Sequence, residues 1–248
     1  MNVCYVTTHQ IHNLVPLFRS LNNRKEIKFE VLYWQNLSQT YYDVQFKKII
    51  NFGLDQEYGY KFNYLNNKER KFAKFNFFFE FIILFKLIKK ILNSKYDIII
   101  FHEYRLSHIF SSIFAKILKK KTVMRAISYN LGKRSFGKNI IRNLFYKISN
   151  LFFDEFWYIH NLNKDFFKKF GVKDKNLFFV DHCQGEYDKL IHDDVALQLS
   201  KDDFCRKYNL PNQKKFILFA GRFNERKNPH ILIDAFLTLS VVFSESLF

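Results

Sequence analysis

The chain opens on NVCYVTT, residues 2–8, an apolar run closed by small polar residues, which predicts a buried first strand. VPLFRSLNN follows with apolar positions at helical spacing, and IKFEVLYW, residues 27–34, alternates as a second strand does. Strand, helix and strand in this order predict a parallel β-α-β unit. The stretch YYDVQFKKIINFGLDQEYGYKFNYL has no dominant period. After it, FNFFFEFIILFKLI (75–88) reads as a helix, buried on most sides or lying at a membrane surface, with the buried helix favoured.

YDIIIFHEY (96–104) is the strongest strand signal, with four apolar residues in a row. LSHIFSSIFAKILKK predicts a helix and KTVMRAIS a strand, repeating the β-α-β theme. A helical period returns over 139–153, DEFWYIH reads as a strand, NLNKDFFKKFG as a helix closed by Gly171, and NLFFVDH as another strand. Over 184–215 the apolar period weakens, charges rise and LPNQKK marks a turn. A new strand, loop and helix begin at Phe216. The expected division is a first domain over 1–185, a linker over 186–213 and the start of a second domain over 214–248.

The bulk numbers narrow the function classes. The chain has 248 residues, 48% hydrophobic and 25% charged, a globular balance. Its formal net charge of +17 makes anionic partners attractive, among them nucleic acid, acidic lipid and phosphorylated substrates. No nucleic-acid motif accompanies the charge, so nucleic acid is not an expected partner. The densest basic run, KILKKK, reads as a solvated helix end. Three scattered cysteines support neither a disulfide framework nor a zinc site, and with the absence of a signal-like start they favour a cytoplasmic protein.

Ligands of a doubly wound sheet collect at the carboxyl ends of its strands. Three such ends carry useful polar groups. The first is Thr7, Thr8, His9 and Gln10, where the lack of a G-x-G-x-x-G fingerprint disfavours a nicotinamide enzyme. The second is His102 and Glu103, suited to act as general base or to bind sugar hydroxyls, with Arg125 at the next strand end positioned to pair with Glu103 or to hold an anion. The third is Gly221, Arg222 and Lys227 before a helix with Asn228 as candidate N-cap and Pro229 in its first position. Two cations beside a helix N-terminus form a sensible diphosphate pocket. An ordinary solvated loop is the bland reading of the same residues.

The segment ILFAGRFNERKNPHILIDAF resembles the donor loop of the glycosyltransferase 4 family, whose members have the GT-B fold. VTTHQIHNLVPLFRSL is similar to the opening of one branch of that family, and YDIIIFHEY, RAISYN and KKFGVKDKNLFFVDHC fall at its later strand ends. The resemblance implies an α/β chain of GT-B type, a doubly wound parallel-sheet N-terminal domain followed by the first strand-helix unit of a second Rossmann-like domain. It implies a glycosyltransferase moving a sugar from a nucleotide-sugar to a polysaccharide or lipid-linked glycan, with retention and without a metal or other cofactor. Arg222 and Lys227 would bind the donor diphosphate with Gly221 allowing close approach. His102 and Glu103 would be catalytic, and His9, Gln10 and Arg125 would lie on the acceptor side.

The family's second domain carries a Glu, seven residues and another Glu, and no such pattern follows Phe236. The expectation is therefore a chain cut short, binding its donor weakly and turning over little. A second reading stays open: a non-catalytic, basic membrane-surface or acceptor-binding module, peripheral at the inner face of the cell membrane.

Overall fold

The structure, a computed structural model, describes residues 1–36, 40–43, 48–51, 59–68, 76–128, 136–181, 199–212, 217–221, 223 and 225–245. The chain divides into two compact units, Met1–Tyr187 and Asp188–Phe248.

The first unit is an α/β domain, as the sequence predicts. Its strands are β1 (Asn2–Thr7), β2 (Lys28–Tyr33), β3 (Thr40–Asp43), β4 (Lys48–Asn51), β5 (Phe62–Tyr64), β6 (Ile98–His102), β7 (Lys121–Arg125), β8 (Glu155–Tyr158) and β9 (Leu177–Phe179). Seven of them form one sheet in the order β5-β2-β1-β6-β7-β8-β9, with every pairing parallel. β3 and β4 make a separate antiparallel pair. The helices are α1 (Val15–Asn22), α2 (Phe77–Leu92), α3 (Leu106–Ile117), α4 (Phe136–Asn150) and α5 (Asn161–Lys169).

Strand alternation sends successive side chains to opposite faces of the sheet. Cys4, Val6, Ile99, Phe101 and Met124 face a core built with α2, α3 and α5. Val3, Tyr5, Ile100 and Val123 face a smaller core built with α1 through Val15 and Phe18. Burial on both faces explains why β1 and β6 read as nearly continuous apolar runs.

The Phe-rich helix departs from the favoured reading. Asn76 caps α2 by accepting from the Phe79 amide at 2.8 Å. Only Phe79, Ile83, Leu87 and Ile91 are buried, whereas Phe77, Phe78, Phe81 and Phe85 are exposed. A helix laid on a sheet buries one stripe, and a run of Phe at nearly every position hides which stripe that is.

The basic run is also less solvated than expected. Lys116 pairs with Asp154 at 2.8 Å, and Lys120 Nζ donates to the carbonyls of Ser94 and Tyr96, each at 3.0 Å. Gly171 closes α5 at φ 88°, the left-handed conformation expected of a helix-ending glycine.

In the second unit, α6 (Lys201–Lys207) is capped by Ser200 and lies within the stretch read as a linker. The expected helix is present as α7 (Pro229–Glu245). Residues 217–220, read as its preceding strand, have no ladder partner among the described residues. A strand needs a neighbour to satisfy its amides, and among the described residues of this unit none is formed.

Candidate functional site

The strand order changes direction at β1. From there the chain builds outward through β2 to β5, then returns to β6 on the other side of β1. Loops leaving β1 and β6 therefore diverge at the carboxyl ends of those strands, the place where open sheets of this kind hold ligands.

His102 ends β6 and Arg125 ends β7, in register with each other. Both continue the face that carries Ile100 and Val123, so they stand side by side on the α1 side of the sheet. His102 is buried, and its Nδ1 shares a 2.8 Å hydrogen bond with the Tyr5 hydroxyl from β1. Arg125 is fully buried. Its Nη2 donates to the Asp181 carbonyl at 3.3 Å, beyond the end of β9. Its Nε and Nη1 have no hydrogen-bond partner, and no carboxylate pairs with it, among the described residues. A buried guanidinium in that condition is costly to hold.

Of the two roles open to Arg125, pairing with Glu103 or holding an anion, the pairing with Glu103 does not form. Glu103 leaves the sheet in the left-handed region at φ 69°, and its partly exposed carboxylate meets Arg105 at 3.6 Å instead. The backbone of Glu103 still bridges the two strand ends, its amide donating to the Arg125 carbonyl at 2.8 Å.

The residue that holds this turn is one the sequence did not single out. His108, fully buried on α3, accepts at Nε2 from Trp34 Nε1 at 2.9 Å. That contact leaves Nδ1 as the protonated nitrogen, which donates to the Glu103 carbonyl at 3.0 Å. Burial, together with the Arg105 charge and against the backbone hydrogen bonds, pushes His108 down to about 3, so it stays neutral. The available signal was a patch of small polar residues, Ser107, Ser111 and Ser112, beside His108 in an otherwise apolar helix.

His9 and Gln10 follow β1 at the same edge. His9 Nδ1 shares a 2.8 Å hydrogen bond with the Thr8 hydroxyl, and burial followed by the Arg105 charge lowers its pKa to about 4. Gln10 Nε2 donates to the Tyr64 hydroxyl at the end of β5. The edge thus gathers His9, Gln10, His102, Glu103 and Arg125 onto one end of one sheet.

In the second unit, Arg222 lies outside the described residues. A Cβ on Gly221 would meet the Phe219 ring at 3.3 Å, so the glycine fits a close approach within its own loop. Lys227 ends a 3₁₀ turn, Glu225–Lys227, and is exposed. Asn228 takes φ 47°, a left-handed conformation Asn tolerates, and Pro229 is the first residue of α7, as expected. Among the described residues no group of three or more His, Cys, Asp or Glu side chains is arranged to hold a metal ion.

No family model matches the chain, and no curated protein matches it. Solved structures do. A UDP-N-acetylglucosamine 2-epimerase is 16% identical with a TM-score of 0.49, the match covering 72% of this chain and 47% of that one. The UDP-GlcNAc 2-epimerase of Neisseria meningitidis, bound to UDP-GlcNAc, is 13% identical with a TM-score of 0.48, covering 74% and 47%. Anabaena Alr3699/HepE, in complex with UDP and glucose, is 12% identical with a TM-score of 0.46, covering 73% and 44%. The chain spans less than half the length of each of these proteins.

Proposed function

We propose that the chain serves glycosyl transfer from a nucleotide-sugar, with the carboxyl edge of the first unit as the acceptor side. The observation that carries this reading is Arg125, a fully buried cation with two nitrogens, Nε and Nη1, unpartnered among the described residues, in register with His102 on the strand next to β1, where the strand order reverses. Arg125 would orient a polar or anionic group of the acceptor, and His102 with Glu103 would take the proton of the attacking hydroxyl. The Gly221–Lys227 loop, with Arg222, would hold the donor diphosphate at the start of α7, its two cations steadying the leaving nucleotide without a metal. The acceptor in this reading is a glycan or a lipid-linked glycan.

Ligand-observed saturation-transfer NMR with a panel of sugar nucleotides tests the donor half. The reading expects signal from at least one nucleotide-sugar, displaced by the matching nucleoside diphosphate and unchanged by EDTA. Silence across the panel with folded protein contradicts it.

A further inference from the structure

The outer faces of α2, α3 and α4 expose large apolar side chains at successive helical turns. On α2, Phe78 is 70% exposed and Phe85 58%; on α3, Phe110 is 48%; on α4, Ile141 is 72% and Leu144 57%. Phe81 stacks edge-on against Phe85 at a centroid distance of 4.7 Å, joining the α2 residues into a continuous strip.

The helices hold these strips in one orientation. Glu80 in the first turn of α2 meets Arg105 at the start of α3 at 3.8 Å, and Lys120 just past α3 donates to Ser94 just past α2. Matched starts and matched ends make α2 and α3 parallel neighbours, so their exposed rings run side by side. Buried residues of α3 and α5, with Phe145 and Tyr146 of α4, pack on the same sheet face, so α4 belongs to the same layer.

Charge decides what such a surface fits. The three helices contain one acidic residue, Glu80, already engaged by Arg105, against Lys86, Lys89, Lys90, Lys116, Lys138, Arg142 and Lys147. Lys89 and Lys147 are exposed beside the apolar strips, whereas Lys86 donates to the Leu65 carbonyl at 2.8 Å. A second copy of the chain would bring like charge against like charge, on a protein already at +17. No helix among the described residues is long and apolar enough to cross a membrane. Aromatic and aliphatic side chains ringed by lysines match a surface with an anionic rim and an apolar interior.

We infer that the α2–α3–α4 face docks peripherally on an anionic lipid bilayer, the rings of Phe78, Phe81 and Phe85 entering the headgroup boundary and the lysines meeting lipid phosphates. This inference stands on surface chemistry and does not rest on the nucleotide-sugar reading. It also keeps a place for the membrane-surface reading of the sequence, with or without catalysis.

Vesicle flotation of the full chain tests it, using phosphatidylcholine vesicles with and without phosphatidylglycerol at low and high salt. The expected result is binding to the anionic vesicles, weakened by salt, and a loss of at least about tenfold in Phe78→Ser/Phe81→Ser/Phe85→Ser. Lys89→Glu/Lys147→Glu should lose the preference for anionic lipid. Because all five residues are exposed, thermal melts of both variants should match the parent and exclude misfolding. Absence of vesicle binding, or binding unchanged in the Phe variant, overturns the inference. So does a dimer in sedimentation that becomes monomeric in the Phe variant, since that would identify the face as a self-association surface.

Discussion

His102 and Arg125 stand next to each other at the ends of adjacent parallel strands, both buried and both on the α1 face of the sheet. One is anchored by the Tyr5 hydroxyl, the other, among the described residues, only by a backbone carbonyl. The contrast predicts a separation of stability from function. Arg125→Met removes a buried charge that has no counter-ion among the described residues, so the melting temperature should stay level or rise. Replacing buried ion pairs by apolar side chains of similar volume is neutral to stabilising by about 1–4 kcal/mol, and a single charge without a counter-ion has no pairing energy to lose. Acceptor-dependent activity should fall together with that gain. A strongly destabilised Arg125→Met protein would show that Arg125 is structural.

Glu103 offers a second separation. Its φ of 69° is uncommon for a residue other than Gly or Asn. Glu103→Gly should stabilise the fold by about 0.5–1 kcal/mol if relief of the left-handed strain outweighs the added freedom of the unfolded chain. Glu103→Gln keeps the strain and removes only the charge, so it should leave stability nearly unchanged. Urea midpoints for the two variants check this, and a destabilised glycine variant would show that the turn is not strained.

Acid should loosen the domain earlier than its carboxylates alone would dictate. His108 sits near 3 and His9 near 4, both below the ordinary value of 6.5, so the unfolded chain takes up their protons while the folded chain does not. Stability is therefore full above about pH 6.5 and declines as pH falls towards the folded values, by about 1.4 kcal/mol per pH unit for each such His. Asp154 adds a loss at lower pH. Burial raises its pKa, but the Lys116 contact and the Thr122 hydrogen bonds outweigh that and hold it below the usual range. In His108→Phe the level of stability falls, because Trp34 Nε1 and the Glu103 carbonyl lose their partner. The diagnostic readout is slope: stability against pH should flatten between about pH 6 and 4 in this variant. An unchanged slope would show that His108 titrates normally.

Much of the fold was legible because β1, β2, β6, β7, β8 and β9 are apolar runs punctuated by polar residues, which a doubly covered parallel sheet requires. β5 was not legible. It is three residues long, only partly buried, and defined by pairing with β2 rather than by its own pattern. The exposed side of α2 was hidden by the uniformity of its Phe run. At the site, His102 and Arg125 could be read as polar residues closing strands. The Trp34–His108–Glu103 connection could not, since it joins the ends of β2 and β6 to α3 through two side chains and a backbone carbonyl whose meeting depends on the whole sheet. The failed Arg125–Glu103 pair has the same origin: no local signal announces that Glu103 turns left-handed.

Isothermal titration of the chain with nucleoside diphosphates, with and without EDTA, tests the nucleotide-sugar reading most directly when repeated on Arg222→Ala/Lys227→Ala. Weak, saturable binding that ignores the chelator and vanishes in the double variant is the expected result. Binding of equal strength in the double variant, or none in the parent, would contradict it.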